Sequence, residues 1–229
     1  TLYTALSELN TEDVNIITVE DPVEANMEGI NQVQVNEKAG LTFASALRSI
    51  LRQDPDIIMI GEIRDGETAG IAVKAAITGH LVVSTLHTNG TASTVTRLVD
   101  MGMESYLIGD ALVGVIAQRL VRRLCPECKR LVYATEDEKR LLGVTTPGDL
   151  PIYEPVGCEA CGNTGYHGRI GVYEIMPVTN DLRIKIAAGA RADEIKEQAV
   201  SEGMSTLSVS AAKLCVQGVT SFKEALKIA

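Results

Sequence analysis

The sequence predicts an α/β fold in which short parallel strands alternate with helices. Three short runs are apolar almost throughout, as strands covered on both faces of a parallel sheet are: Asn15–Val19, Ile57–Ile60 and Leu81–Leu86. Segments with helical spacing of apolar residues lie between these runs. One begins at the capping residue Thr42 and stops at Pro55. Strand–helix alternation of this kind implies right-handed crossovers with helices packed against the sheet.

The remaining elements are predicted from spacing and turn residues. The small-residue segment 69–77 is predicted as a helix that ends at Gly79. A wide apolar stripe from Leu107 to Ile116 predicts a long helix that runs into the basic stretch Arg119–Arg123. Residues 169–174 are predicted as a strand. Three helical segments are predicted to close the chain, at about 180–188, 192–202 and 206–229.

Composition limits the classes of function. The 229 residues are 45% hydrophobic and 22% charged, which are ordinary globular proportions. The net charge of -9 gives an acidic surface that repels phosphate backbones, so nucleic acid is not expected as the main partner. No run of about 18 apolar residues occurs, which predicts no membrane span. No signal peptide is visible at the first residues given.

Three predicted strands end in polar groups: Glu20 with Asp21, Glu62 after Gly61, and His87. Ligands of open parallel sheets bind outside the carboxyl ends of the strands, so these groups are expected to meet at one crevice. Two acids and an imidazole there suit phosphoryl transfer. One carboxylate would hold Mg²⁺, the other would direct water, and a donor would contact the γ-phosphate. The alternative is that each is a separate turn former or helix cap.

Four of the five cysteines form two CxxC pairs, Cys125/Cys128 and Cys158/Cys161, separated by 29 residues. Two pairs supply the four thiolates of a tetrahedral zinc site, and a full set of cysteines leaves no open position for catalysis. A structural zinc in a reducing compartment, the cytoplasm, is therefore predicted, with a redox dithiol as the alternative. The segment between the pairs is polar and turn-rich and is predicted to be a small excursion. Cys215 is predicted to be a buried apolar residue.

Three longer motifs carry a family resemblance. Ile17–Glu24 (ITVEDPVE) resembles the Asp box of secretion ATPases, Asp54–Asp65 (DPDIIMIGEIRD) resembles their Walker B segment, and Gly79–Asn89 (GHLVVSTLHTN) resembles their His box. With the paired CxxC motifs, the chain resembles the GspE/PilB family of type II secretion and type IV pilus assembly ATPases over essentially its whole length. The resemblance implies a RecA-like P-loop NTPase core that works as a homo-hexamer.

The resemblance also implies roles for single residues. Glu20 is expected to be the general base for water, and Glu62 the acid that holds Mg²⁺ through water. His87 and His80 are expected to sense the γ-phosphate, with Asp21 and Arg64 supporting the site. Arg48 and Arg52 lie one helical turn apart. They are expected either on a solvated helix face or at a contact with a neighbouring subunit.

One departure from the family concerns phosphate binding. The family carries a G-x-x-x-x-G-K-[ST] loop just before the segment that opens this chain, and no such motif occurs in the sequence. The core therefore looks truncated at its N-terminus, and the chain alone is expected to bind ATP weakly and not to turn it over. Three parts are predicted: an ATPase core at 1–124, a zinc module at 125–161 and a C-terminal strand with a helical subdomain at 162–229.

The predicted function of the intact protein is that of a motor, implied by the resemblance. ATP hydrolysis with Mg²⁺ would drive assembly of a pilus or pseudopilus through an inner-membrane platform protein. The location would be cytoplasmic, peripheral at the inner face of the cytoplasmic membrane. The tetracysteine module marks the assembly branch of the family, whereas retraction ATPases usually lack it. Two alternatives stay open: a non-enzymatic, zinc-stabilised docking module, and a pilus retraction ATPase.

Overall fold

The computed structural model describes residues 1–145 and 147–228. Its helices and strands in chain order are α1 (Leu2–Leu9), β1 (Ile16–Glu20), β2 (Asn31–Gln34), α2 (Phe43–Ile50), β3 (Ile57–Ile60), α3 (Gly66–Ile77), β4 (Leu81–Ser84), α4 (Thr91–Asp100), α5 (Ser105–Ala111), β5 (Gly114–Leu124), β6 (Arg130–Tyr133), α6 (Glu136–Leu141), β7 (Pro151–Glu154), β8 (Tyr166–Pro177), α7 (Asn180–Ala187), α8 (Ala192–Ser201), α9 (Leu207–Val216) and α10 (Phe222–Ala225). Short 3₁₀ turns lie at Glu37–Ala39 and Glu159–Cys161. None of the described helices is long and apolar enough to cross a membrane. The predicted α/β fold is confirmed.

The chain divides into two compact units. The first, unit 1, comprises Thr1–Val113 and Val178–Ile195, and the second, unit 2, comprises Gly114–Pro177 and the chain from Lys196 onward. Each unit is therefore built from two separate stretches of sequence. The predicted division at 124/125 and 161/162 stays a prediction, and both of its boundaries fall inside unit 2.

Unit 1 is organised around a parallel sheet with strand order β2-β1-β3-β4. Alternate residues of a strand point to opposite faces, so Ile16 of β1 and its register partner Ile57 of β3 share one face. Both pack with the fully buried Leu6, which places α1 over that face. Every residue of β1 and β3 is buried, as predicted for central strands of a parallel sheet.

The outer strands of this sheet differ from the prediction. The third apolar run is strand only to Ser84 and lies at the edge of the described sheet, where Leu81 is 40% exposed. The expectation that this strand is covered on both faces is therefore wrong. On the opposite edge, β2 was not predicted at all, because its sequence Asn-Gln-Val-Gln lacks an apolar run.

Unit 2 contains an antiparallel pair, β5 with β8, and a second antiparallel pair, β6 with β7. The predicted strand at 169–174 is confirmed as part of β8. The long helix predicted from Leu107 is wrong, because it ends at Ala111 and β5 starts at Gly114. Along β5, Ala117 and Val121 are buried while Ile116 and Leu120 are exposed, so this stretch has the odd–even alternation of a strand.

The segment between the cysteine pairs is more than a surface excursion. It forms β6, α6 and β7, and its residues Ala134 and Ile152 are buried in the core of unit 2. That core also contains the predicted buried Cys215, on α9. The single closing helix predicted for 206–229 is wrong within the described residues, because it is interrupted at Gly218, whose φ of +67° favours glycine.

Candidate functional site

The carboxyl edge of the parallel sheet brings three predicted site residues to one place. Glu20 is the last residue of β1, Glu62 follows β3 by two residues, and His87 follows β4 by three. The turns after β3 and β4 are tied together, since Ile63 N–H donates to the Thr85 carbonyl at 3.0 Å. A cavity of about 350 Å³ opens at this edge and is lined by residues that include Glu20, Asp21 and Glu62. The predicted convergence of Glu20 and Glu62 is therefore present.

Glu20 is 3% exposed and its carboxylate accepts three side-chain donors. The Tyr3 hydroxyl donates to Oε2, and Oε1 accepts the Thr18 hydroxyl at 2.5 Å and the Gln32 amide at 3.1 Å. A buried carboxylate needs partners of this kind, because desolvation without them is costly. The three donors hold the carboxylate in one orientation beside the cavity.

Glu62 is the centre of a chain of charged groups. Arg64 donates to its Oε1, and His87 Nε2 lies 3.4 Å from its Oε2. Arg64 also approaches the Asp21 carboxylate at 3.9 Å, so it links the two acids. The hydrogen bond from Arg64 lowers the pKa of Glu62, which outweighs the effect of desolvation. Glu62 is therefore ionised at neutral pH. The imidazole of His87 is 91% exposed, so a ligand in solvent can reach it.

The structure does not bring His80 into this group. His80 precedes β4, at the amino edge of the sheet, whereas His87 follows the carboxyl end of the same strand. Its Nδ1 lies 3.0 Å from the Ala75 carbonyl and 3.3 Å from the Thr78 hydroxyl, at the end of α3. These contacts satisfy polar groups at the C-terminal end of a helix. The predicted γ-phosphate role of His80 has no geometric support in this chain.

Arg48 and Arg52 lie on an exposed surface of unit 1. Arg48 forms an ion pair with Glu67 at 2.5 Å, with both side chains more than half exposed. Arg52 donates to the Arg48 carbonyl at 2.8 Å. Exposed pairs of this kind contribute little stability, about 0.2–1 kcal/mol. The geometry is that of the solvated helix face, and the subunit-contact role stays a prediction.

Sequence reasoning missed the three residues that hold Glu20. Thr18 could have been found, because a residue two positions before Glu20 on a strand shares its face. Gln32 could not, because β2 carries no strand signal. Tyr3 lies on α1, and only tertiary packing brings it to the strand end.

The four predicted zinc cysteines come together in unit 2, with all four sulfur atoms within 4.8 Å of one another. The Sγ–Sγ distances include 3.9 Å for Cys125–Cys158, 3.9 Å for Cys128–Cys161 and 3.8 Å for Cys158–Cys161. Zn–S bonds of about 2.3 Å in a tetrahedral site place sulfur atoms roughly 3.8 Å apart. The same distances are far too long for a disulfide bond. The cluster therefore fits a tetrahedral metal ion.

Backbone N–H groups point at the sulfur atoms of this cluster. Gly157 N–H donates to Cys128 at 3.3 Å, and Cys161 accepts from Cys158 and Gly165, both at 3.2 Å. Burial acts to raise the pKa of the Cys161 thiol, but these N–H donors, together with side-chain hydrogen bonds from Cys158 and Cys128, lower it to about 6. The backbone thus favours the thiolate form of Cys161, which is the form that binds metal.

Glu224 of α10 is buried and forms an ion pair with Arg122 of β5. Its carboxylate accepts from the Arg122 guanidinium at 2.9 Å and from Lys227 at 2.5 Å. Arg122 also stacks on the ring of Tyr166, 3.9 Å from its centroid. Burial acts to raise the pKa of Glu224, but the hydrogen bonds from Arg122 and Lys227 lower it to about 2. This ion pair fastens the last described helix to the strand that leads into the first CxxC pair.

Comparison with known proteins gives consistent relationships. The chain matches the family described as "Type II/IV secretion system protein" over residues 1–227. It is 53% identical over 228 residues to the type IV pilus assembly ATPase PilB of Myxococcus xanthus, covering 98% of this chain and 40% of that protein. It is 46% identical over 228 residues to the type II secretion system protein E of Aeromonas hydrophila, covering 100% of this chain and 45% of that protein.

Among solved structures, the pilus retraction motor PilT with bound ADP matches with a TM-score of 0.72 and 28% identity, covering 100% of this chain and 57% of that one. The chain thus spans less than half the length of the two curated relatives described above. These matches confirm the predicted family and the predicted α/β ATPase fold. The chain belongs to the Type II/IV secretion system protein family, on the side of its pilus assembly and type II secretion ATPases.

Proposed function

We propose that the protein containing this chain is a motor that couples ATP hydrolysis to assembly of a pilus or pseudopilus. The observation that carries the proposal is the meeting of Glu20, Glu62 and His87 at the carboxyl edge of one parallel sheet, beside a cavity. Carboxylates at such an edge suit metal-assisted phosphoryl transfer. The pilus assembly and secretion ATPases that share the sequence supply the class of substrate and process.

The surroundings of each site residue are consistent with one role in ATP hydrolysis. Glu20, fixed and facing the cavity, acts as general base or orients the attacking water. Glu62 would hold Mg²⁺ through water, since ionised carboxylate oxygens are the donors this ion prefers. The ion, when bound, neutralises charge on the phosphate oxygens. His87 contacts the γ-phosphate, while Arg64 keeps Glu62 and Asp21 in place.

The phosphate loop absent from this sequence bears on what the chain does alone. A loop of that kind offers backbone N–H groups and a lysine to the phosphates, and without it the charge of ATP has little to meet in a chain of net charge -9. We expect this chain by itself to bind ATP weakly and not to hydrolyse it. The intact protein would work as a homo-hexamer at the inner face of the cytoplasmic membrane, against a platform protein.

The cysteine cluster is proposed to hold a structural zinc ion through Cys125, Cys128, Cys158 and Cys161. Four thiolates complete a tetrahedron, so the ion would brace the fold without taking part in hydrolysis. The cluster also favours the assembly branch over a retraction motor. A purified protein that carries no zinc when zinc is supplied would shift the proposal toward retraction.

The test is ATP hydrolysis by the full-length protein and its Glu20→Gln variant. We expect Glu20→Gln to bind ATP normally and to hydrolyse it at least about 100-fold more slowly, the usual contribution of a positioned base. Glu28→Gln, the same substitution at an exposed glutamate, is the matched control and should keep wild-type turnover. Normal turnover by Glu20→Gln would remove Glu20 from the mechanism.

A second candidate function is a non-enzymatic docking module stabilised by zinc. It is favoured by the well-formed cysteine cluster. Full-length protein that is folded, hexameric and inactive toward ATP with Mg²⁺ would favour this candidate over the motor.

A further inference from the structure

We propose that Tyr3, Thr18 and Gln32 are positioning residues that fix the Glu20 carboxylate for its reaction with water. The inference rests on the proposed role of Glu20. It assigns functions to three residues that have no role in the function proposed above. Its basis is the set of three donors that meet on one buried carboxylate.

Strand register explains two of these donors. Thr18 and Glu20 are two positions apart on β1, so their side chains point to the same face of the sheet. Gln32 of β2 is the register partner of Thr18, which puts its side chain on that face as well. Both donate to the same oxygen, Oε1 of Glu20, at 2.5 Å and 3.1 Å.

Tyr3 supplies the third donor from the helix that covers this face. Its hydroxyl donates to Oε2 of Glu20 and accepts the backbone N–H of Glu24 at 3.0 Å. Burial, together with the hydrogen bond to Glu20, raises the pKa of Tyr3, so the phenol keeps its proton and stays a donor at neutral pH. The hydroxyl therefore joins the helix, the end of β1 and the loop after it.

Gln32 is itself held in one orientation. Its Nε2 also donates to the Ala25 carbonyl at 3.0 Å, and its Oε1 accepts the Met27 N–H at 2.8 Å. With the amide oxygen taken by an N–H donor, the NH₂ group is the part left to face Glu20. The loop that follows β1 thus sets the direction of the amide donor.

The consequence for chemistry is geometric. An ionised carboxylate has about four acceptor positions, and three of those on Glu20 are occupied by protein donors. A water molecule at the cavity would then meet a carboxylate that cannot rotate. Misplacing a reacting group by about 1 Å costs on the order of 100-fold in rate, so a donor lost here should appear in kcat.

The first arm of the test uses the full-length protein with Tyr3→Phe and, separately, Thr18→Val. Each removes one hydroxyl and keeps the size of the side chain. We expect kcat for ATP hydrolysis to fall roughly 10- to 100-fold in each, while KM for ATP and hexamer formation stay unchanged. Tyr106→Phe, at a tyrosine that is 55% exposed, is the matched control and should leave kcat unchanged. Wild-type kcat in both Tyr3→Phe and Thr18→Val would overturn the inference.

The second arm repeats Tyr3→Phe in the Glu20→Gln background, with the slow residual hydrolysis followed in single turnover. If Tyr3 acts through Glu20, Tyr3→Phe causes no further loss there. An equal loss in both backgrounds, or a loss of hexamers or thermal stability that accounts for the rate, would show a merely structural role and overturn the inference. If Glu20→Gln turns over normally, the proposed role of Glu20 fails and the inference with it. If Glu20→Gln is impaired but Tyr3→Phe is not, only the inference on Tyr3 fails.

Discussion

Removing the proposed zinc ion from the cysteine cluster should destabilise unit 2, and the length of the loop between the cysteine pairs sets the size of the loss. The perturbation is a strong zinc chelator added to this chain in the presence of a reductant that is not a thiol. The folded chain already holds its four sulfur atoms within 4.8 Å, whereas an unfolded chain must close a loop to collect them. The folded state is therefore expected to bind zinc more tightly than the unfolded state, and that difference in binding free energy is the stability that chelation would remove.

The magnitude follows from the length of that loop. Cys128 and Cys158 are 30 positions apart (158 − 128). Closing a loop of this length costs the unfolded chain about 4 kcal/mol in chain entropy. Isolated zinc peptides depend on about 10 kcal/mol or more from the metal. Here β6 and β7 also bury residues such as Ile152 in the core of unit 2, so the smaller figure is expected.

The assay is urea unfolding followed by circular dichroism, with zinc counted by release to a chromogenic chelator. We expect one zinc per chain and a loss of about 4 kcal/mol in unfolding free energy after chelation. Cys128→Ser should abolish both zinc binding and the response to chelator. Cys215→Ala, at a buried cysteine outside the cluster, should retain both.

Two results would refute this reasoning. One is a purified chain that contains almost no zinc although it was produced with ample zinc. The other is a chelator effect of less than about 1 kcal/mol, since the loop-closure argument then fails even if metal is bound.

Further predictions concern other residues of unit 2. Glu224→Gln should lower the unfolding free energy by about 2 kcal/mol at neutral pH, because the pKa of Glu224 falls from 4.5 to about 2 on folding. This figure is already reduced for solvent screening, since the Arg122 side chain is 46% exposed. Stability from a lowered pKa is complete above about pH 4.5 and lost as pH falls toward 2, so denaturant titrations of wild type and variant should converge over that interval. Gly165→Ala should cost roughly 3 kcal/mol of unfolding free energy, since the new Cβ would lie 2.4 Å from Pro155 Cβ at a φ of +75°. Gly168→Ala, at a φ of +70° with no atom within 4 Å, isolates the backbone cost of about 1–2 kcal/mol, and equal losses in the two variants would contradict the steric argument.

The part of the fold that could be predicted is the part whose local pattern is unambiguous. β1 and β3 are uniformly apolar, and both are buried where predicted. The stretch after Leu107 misled because apolar residues at Val115 and Ile116 satisfy helical spacing as well as a strand. This stretch is a strand because the helix is interrupted before Gly114 and because Ile116 pairs with Ile175, nearly 60 residues later. Long-range pairing of this kind leaves no mark in a local window.

The candidate site was predictable where chemistry follows a strand directly, as at Glu20 and Glu62. The two CxxC pairs were equally informative, because four thiolates placed together have few functions other than metal binding. His80 shows the limit: motif membership alone put it in the site, yet it stands at the other end of β4. Tyr3 shows the reverse, since only the packing of Leu6 against Ile16 brings its hydroxyl to the carboxylate.

The interleaving of the two units has a consequence for synthesis on the ribosome. Unit 1 uses residues up to Val113 and then Val178–Ile195, while unit 2 is completed only by the chain from Lys196 onward. The hydrogen bond between Arg122 and Glu224 joins residues 102 positions apart, so β5 cannot form this contact until α10 has been synthesised. Neither unit can finish folding until its second stretch of sequence has been translated. Chains that stop early, through a nonsense mutation or a stalled ribosome, would leave the strand that precedes the first cysteine pair without its buried carboxylate partner.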